Sequence, residues 1–353
     1  MSAVLPTSSS LDDALQRSEG VWHAAWRRFK ADRVGLVSLV IVVGFVLLIL
    51  LAALGLVAQN WQDEVGVPNA PPTLLGARAV QAVDAVESPK GPNVDLSDID
   101  PLAPRYKEWD ERAKQFQTTE TVKARTLAFG GDRLGRDVLA KAIKGTEISL
   151  FVGLSAALLA TLIGTVLGAV AGFAGGWVDD LLEWFYSVFT AIPGILLILA
   201  FAAVLRPGLV NIIVILGLTG WTGIYRLVRA EYLKHRSRDY VRAAEAIGAS
   251  RRARMFAHIL PNVSHVSLVQ LSQHVVSFIK AEVILSFLGF GVPLDQVSWG
   301  TMLAEAQAEL VVGKWWQLLA ATISMAVLVT AFSMLTDALR DALDPRLRTE
   351  RSP

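Results

Sequence analysis
Uncharged apolar runs of about twenty residues or more alternate along this chain with short stretches crowded with Arg, Lys, Asp and Glu. From Val34 to Gln62 there is no charged residue, and Gly35 to Val57 alone holds seventeen Leu, Ile, Val and Phe residues. At a rise of about 1.5 Å per residue that segment crosses a hydrocarbon layer of ~30 Å. Each of its large apolar residues favours insertion by roughly 0.3–0.6 kcal/mol near the bilayer centre. Further uncharged runs cover Ile148–Val178, Trp184–Leu205, Pro207–Tyr225, Met255–Ile279 and Trp315–Thr336. The pattern predicts six membrane-spanning helices. Val283–Leu294 is too short to cross alone, and either extends the fifth span or re-enters the membrane.

The charged stretches set the expected topology. Lys and Arg crowd an N-terminal arm (Arg27, Arg28, Lys30, Arg33), a central loop from Arg226 to Arg254, and the tail (Arg340, Arg346, Arg348, Arg351). Positive charge is retained on the cytoplasmic side, so both termini and the central loop are expected inside, which six spans satisfy. The segment from Ala58 to Glu147 carries more acids than bases and is expected outside. Its Pro68–Pro104 part is rich in proline and acid, which disfavours regular structure, whereas Arg105–Ala128 is charged and helix-prone. Residues 1–20 are polar and Ser-rich, a composition that does not order itself. Trp22, Trp26 and Phe29 recur at i, i+4 and i+7 beside Arg27, Arg28 and Lys30. This predicts a short amphipathic helix that either lies on the inner leaflet or leads into the first span.

Composition narrows the function classes. Apolar residues make up 53% of the 353-residue chain, more than a water-soluble domain of this length carries. The net charge of +1 is distributed by topology and gives no reason to expect nucleic acid. There is no cysteine, hence no disulfide framework, thiolate metal site or thiol nucleophile. The first run begins some 34 residues in and is about twice the length of a signal-peptide core, which favours an uncleaved anchor. A phosphate-binding loop needs G-x-x-x-x-G-K-[ST]; the sole Gly-Lys pair, Gly313-Lys314, has Ala308 in place of the first glycine and Trp315 in place of Ser or Thr. Of the five histidines, His258 and His265 straddle Pro261, and His274 sits in an apolar run without a carboxylate. No metal site, no catalytic residue and no cofactor bound by this chain is expected. No ATP site is encoded, so any nucleotide-driven work comes from another chain.

Several positions inside the spans carry more information. Gly164, Gly168 and Gly172 form a small-residue face that lets helices approach closely. Pro193 is expected to kink the third span, and Trp177, Trp184, Trp221, Trp299, Trp315 and Trp316 fit interfacial anchoring. Glu282 stands among Ile279, Val283, Ile284, Leu285 and Phe287, where a charge at mid-depth costs on the order of 2.5–3.5 kcal/mol. Either it lies hydrated near the outer interface, or it faces the bundle interior and lines or gates a pathway. Lys280 does not face it, being two residues away on a helix.

The central loop reads as a helical excursion. Asp239 is the expected N-cap of a short helix through Arg242, Ala243, Ala244, Glu245 and Ala246, ended by Gly248. Its small Ala face suits a groove on a soluble partner. Pro261 marks entry to the next span, with His258 to Leu260 biased away from continuing the earlier helix.

At these residues the chain resembles the permease subunits of ATP-binding-cassette importers, whose signature is E-A-A, three residues, Gly, nine residues, I-x-L-P. Ala243, Ala244, Gly248, Leu260 and Pro261 match; Arg242 stands in place of Glu and His258 in place of Ile. Phe129–Val138 (FGGDRLGRDV) is similar to the G-T-D-x-L-G-R-D-V block of the dipeptide/oligopeptide/nickel branch, C-type subunit, with Gly131 for Thr; Glu147 sits where a basic residue is usual. Glu282–Gly291 (EVILSFLGFG) with Ser298-Trp299-Gly300, and Asp337–Arg346 (DALRDALDPR), resemble two further blocks of that branch. The outer Pro-rich insertion matches none of its blocks.

The resemblance implies an all-α, polytopic fold of six transmembrane helices with both termini cytoplasmic, in the bacterial inner membrane. The expected organisation is a cytoplasmic arm (1–34), a first helix (35–57), a periplasmic insertion (58–147), a five-helix core (148–340) containing the coupling loop 226–261, and a tail (341–353). It also implies a second homologous permease subunit, two cytoplasmic ATP-binding subunits and a periplasmic substrate-binding protein, with membrane lipid around the spans. Arg242, Ala243, Ala244, Glu245, Gly248, Arg251, Leu260 and Pro261 are expected to couple to the ATPases. Glu282, Ser286, Phe287, Gly289 and Gly291 are candidates for the pathway or gate, and Gly130, Asp132, Gly135, Arg136 and Asp137 form the periplasmic motif. The expected function is ATP-driven import of short peptides or related small solutes. The alternatives are an ion-gradient carrier and a membrane-anchored interaction protein acting through its outer insertion.

Overall fold
The computed structural model describes residues 21–76, 101–115, 123–293 and 295–343. Among the described residues the structure is helical, and β pairing is limited to three isolated bridges. In chain order the helices are α1 (Val21–Ala31), α2 (Arg33–Ala53), α3 (Ala103–Gln115), α4 (Val138–Ala174), α5 (Gly176–Ala191), α6 (Gly194–Val204), α7 (Leu209–Gly220), α8 (Thr222–Arg236), α9 (Asp239–Ala246), α10 (Arg251–Phe287), α11 (Trp299–Val311) and α12 (Trp316–Leu343). Four of them, α2, α4, α10 and α12, are long and apolar enough to cross a membrane alone, and the bent pairs α5–α6 and α7–α8 raise the number to six.

Caps fix where the long helices begin. The Asp32 carboxylate accepts the Val34 N–H at 2.9 Å to start α2, and the Asp137 carboxylate accepts the Leu139 N–H at 2.8 Å to start α4. α4 therefore starts at Val138, ahead of the uncharged run that opens at Ile148. It is the central post. Its glycine face takes α8 at backbone contact: a Cβ on Gly164, Gly168 or Gly172 would stand 2.6–2.7 Å from the carbonyl oxygens of Trp221, Tyr225 and Arg229 respectively. α10 packs on another face of α4, α11 and α12 close on α10, and α2 lies against α12.

The main core lies among α4, α7, α10, α11 and α12 and includes Val152, Ala156, Leu216, Ile279, Leu285, Trp299 and Leu328. Phe29 of α1 buries itself against Ala338 and Ala342 of α12, so α1 packs on the bundle through that residue while Trp26 stays half exposed.

The structure departs from the expected elements in five places. The third span starts at Gly176 and is broken, not kinked: α5 and α6 meet at 85° around Ile192-Pro193, because proline supplies no N–H to carry the ladder across. Helix continues through the basic stretch after Tyr225 as far as Arg236, so the loop proper begins there. Arg238 occupies the N-cap of α9 without a side-chain bond, and Asp239 is the first helical residue. Pro261 does not interrupt the helix; a π-helical stretch over Arg254–Ile259 absorbs the missing donor, and the Asn262 amide donates to the His258 carbonyl at 2.7 Å. Finally, Trp221, Trp299 and Trp316 are core residues, whereas Trp177, Trp184 and Trp315 are exposed as anchoring requires.

Val283–Phe287 extends α10, and the chain then turns at Leu288–Gly291. Of the outer segment, residues 68–76 run irregularly apart from one 3₁₀ turn at Thr73–Leu75, and α3 covers part of the helix-prone stretch. The expectations for residues 1–20, for 77–100 of the Pro-rich part, for 116–122, for Leu294, and for the last part of the C-terminal block lie outside the described residues.

Candidate functional site
Three constellations stand out, two at one end of the bundle and one at the other. At the first end, residues 58–76 and 123–137 form a cap over the start of α4. Gly66 pairs with Ala124 and Pro72 with Leu127. Gly135 takes a φ of +83° and its Cα lies against the Gly66 carbonyl, a position only glycine fills without displacing backbone.

Asp132 lies in that cap, fully buried. Its Oδ1 accepts the N–H groups of Leu134 and Arg136, each at 2.9 Å. Its Oδ2 accepts the Arg136 guanidinium at 2.6 Å and the Lys141 ammonium at 2.8 Å. Lys141, 1% exposed, also pairs with Glu305 of α11 and donates to Gln317 of α12 at 3.3 Å. Arg136 reaches Glu305 as well, at 3.3 Å. Burial alone would raise the Asp132 carboxyl, but Lys141, the Arg136 N–H and the Arg136 guanidinium outweigh it and hold the group below the ordinary carboxylate range. Beside this network the Glu309 carboxyl accepts the Arg133 N–H at 2.9 Å through one oxygen, while its other oxygen is buried without a partner. Burial pushes this group up, against the Arg133 N–H and Lys141. The network thus ties the cap to α4, α11 and α12. Asp132 and Arg136 of the expected motif sit at its centre, Asp137 caps α4, and Gly130 presses on the Trp316 ring. Lys141, Glu305, Glu309 and Gln317 were not singled out from sequence; a lysine four residues after the α4 cap Asp137 was the available signal.

The second constellation surrounds Glu282, which is 0% exposed. Its two carboxyl oxygens accept the hydroxyls of Ser149 (α4) and Ser286 (α10), each at 2.7 Å. The Ser286 oxygen in turn accepts the Val292 N–H at 3.1 Å, and the Ser149 oxygen accepts the Trp299 N–H at 3.4 Å. Glu282 thus faces the bundle interior and not a hydrated outer interface. Serine hydroxyls rather than a cation satisfy it, and it pins the turn after α10 and the start of α11 to α4. Gly291 backs onto the Ser286 backbone so closely that a Cβ there would meet it. Phe287, the last residue of α10, and Gly289, whose N–H donates to the Ser286 carbonyl at 3.1 Å, are both exposed.

At the opposite end lies α9. Val241 and Ala244 face inward, and Val241 joins a cluster with Phe173 of α4, Val228 and Tyr232 of α8, and Ile259 and Val263 of α10. The outward side carries Arg242, Ala243, Glu245 and Ala246, and Ile247 protrudes at 85% exposure. Gly248 closes the helix with a φ of +88° and nothing within 4 Å of a built Cβ. Glu245 pairs with Arg254 at 2.5 Å, and Arg254 also lies 5.9 Å over the Phe173 ring. Arg251 and Pro261 are exposed and Leu260 is half-buried, so the expected coupling residues share one end of the bundle without forming one patch.

A helical membrane bundle with a basic helical excursion at one end and a locked cap at the other defines a membrane transport subunit. Residues 164–349 match the family of the binding-protein-dependent transport system inner membrane component, and residues 20–72 match the N-terminal transmembrane domain of oligopeptide transport permease C. The chain is 31% identical to the oligopeptide transport system permease protein OppC of Bacillus subtilis over 70% of this chain and 81% of that protein. It is 39% identical to the dipeptide transport system permease protein DppC of the same organism, over 62% and 69%. It is 33% identical to the glutathione transport system permease protein GsiD of Salmonella typhimurium, over 93% and 91%. The chain belongs to the binding-protein-dependent transport system inner membrane component family. It is an inner-membrane permease subunit of an ABC importer, a transport component rather than an enzyme, and works with other components of such a system. This membership displaces the ion-gradient carrier and the anchored interaction protein.

Proposed function
We propose that this chain forms half of a translocation pathway for short peptides or related small solutes. It pairs with a second homologous permease subunit, docks two cytoplasmic ATP-binding subunits, and receives cargo from a substrate-binding protein outside. The peptide and glutathione carriers among its relatives support the solute class. ATP and Mg²⁺ reside on the ATP-binding subunits, and the chain sits in membrane lipid.

The observation that carries this reading is α9, whose inner side is built into the bundle while its outer side offers alanines and a bare Ile247. An exposed isoleucine beside small residues fits a groove on a soluble partner. A push on α9 passes through Val241 into the cluster shared by α4, α8 and α10, so the spans move as packed bodies. The end bearing α1, α9 and the last turns of α12 is then cytoplasmic, as the Lys and Arg clusters require, and the cap faces out. Gly248→Asp places a Cβ and a charge beside the docking face, in a backbone conformation that L residues rarely adopt. In the complete complex in vesicles it is expected to lower uptake and substrate-stimulated ATP hydrolysis at least tenfold. Full retention of both would remove α9 as the docking element.

A further inference from the structure
The outward faces of the membrane-crossing helices are mostly those a lipid environment calls for: Val37, Val40 and Leu47 on α2, Leu154, Leu158 and Leu162 on α4. α10 differs. Gln270, Gln273, Ser277 and Lys280 fall within one sector of about 80° at ~100° per residue. Gln273, Ser277 and Lys280 are exposed and Gln270 half-buried, with Gln270 donating to Gln273 at 3.3 Å. The opposite side of α10 holds Val275, Phe278, Ile279 and Glu282 in the core. Lys280 makes no hydrogen bond or ion pair with another described residue. It stands at the level of Gly153, whose built Cβ would meet Ile279, inside the uncharged run of α4. An unpaired ammonium among apolar spans is costly toward hydrocarbon, which favours a polar surface opposite this face.

We infer that Lys280 receives the C-terminal carboxylate of a short peptide as it passes along this face of α10, with Gln273 and Gln270 bonding its backbone. The inference rests on the peptide reading above. Charge complementarity selects the carboxylate, and the neutral amides and hydroxyl beside it suit a polar chain that must bind and leave. From Gln270 to Lys280 is about 15 Å along the helix, the reach of four or five extended residues at ~3.3 Å each. The contact discriminates among cargoes, and it is absent from the family signature blocks.

The test uses the complete complex in vesicles with its substrate-binding protein, and compares uptake of trialanine and trialanine amide by the unaltered complex, Lys280→Gln and Lys280→Arg. Loss of one charge-assisted hydrogen bond predicts a trialanine-to-amide uptake ratio about tenfold lower in Lys280→Gln. Lys280→Arg should keep the original ratio, and ATP hydrolysis stimulated by loaded binding protein should persist in both. A ratio that does not move overturns the inference, including the case in which neither complex carries the amide. So does an equal fall for both peptides, which is the mark of a lysine paired with an acid on the second subunit. An unaltered complex that hydrolyses ATP yet carries neither peptide removes the peptide reading itself, and this inference with it.

Discussion

The two ends of the bundle are built on opposite principles. At the cap end, Asp132, Lys141, Arg136, Glu305 and Gln317 bond one another, and three of them, Asp132, Lys141 and Gln317, are almost wholly buried. The Glu282–serine cluster joins α10 to α4, the helix that also carries Lys141. At the α9 end the polar groups are mostly solvated, the pair Glu245–Arg254 has its acid 62% exposed, and an apolar side chain stands free. Buried charges hold one arrangement because any loosening leaves a charge without a partner. An exposed short helix loses little by changing partners. One end is a frame, the other a handle.

Breaking the frame should give the largest effect. Lys141→Met leaves Asp132 buried with one cation fewer and is expected to cost about 3–5 kcal/mol of stability, read as thermal unfolding of the purified complex. The double variant Asp132→Leu/Lys141→Met should recover part of that loss, because no lone charge then remains. Next comes the α4–α8 seam. Gly168→Leu must push the Tyr225 carbonyl aside and is expected to cost about 1–3 kcal/mol. Gly223→Ala, with open space around its Cβ, serves as the neutral control.

A smaller effect lies in the pH profile of the frame, where two acids act in opposite directions. The Asp132 carboxyl is lowered from 3.8, so its contribution is complete above that pH and is lost as pH falls toward the folded value. The Glu309 carboxyl is raised from 4.5, so its contribution is complete below that pH and declines as pH rises through the folded value. Glu309→Gln should remove that decline and leave the profile flatter above pH 4.5, with the acid-side loss from Asp132 intact. The smallest effect on stability belongs to the handle. Ile247→Asp should change unfolding by no more than about 0.5 kcal/mol, since the side chain touches little, yet uptake and stimulated ATP hydrolysis should fall sharply. A complex that unfolds early would mean that Ile247 supports the bundle instead.

Much of the frame's outline was legible in the chain, but not its bonding. The glycine face at 164, 168 and 172 gave the α4–α8 approach correctly, because an i+4 repeat on a helix is a geometric statement whatever partner fills it. Pro193 announced a kink where the chain makes an 85° break, whose size depends on how α5 and α6 pack on either side. Pro261 announced a break that does not exist, since the chain passes through a π-helical stretch at Arg254–Ile259 into the next helical residues. Trp221, Trp299 and Trp316 read as anchors by residue type, yet their partners lie inside the bundle: Trp299 donates to the Ala142 carbonyl, Trp316 to the Gly131 carbonyl, and the Trp221 ring stacks on Phe185.

What the sequence by itself determined is what local chemistry determines: which segments leave water, how many can cross, and where Gly248 ends a helix. Desolvation of the backbone and side chains is decided residue by residue, so a single chain carries that information openly. Only the tertiary structure decided that Glu282 meets Ser149 from 133 positions away, that Lys141 joins three elements, and that one face of α10 is polar toward the outside of the bundle. Partners distant along the chain are chosen by packing, and the free energy of a buried charge depends on which partners packing brings within reach.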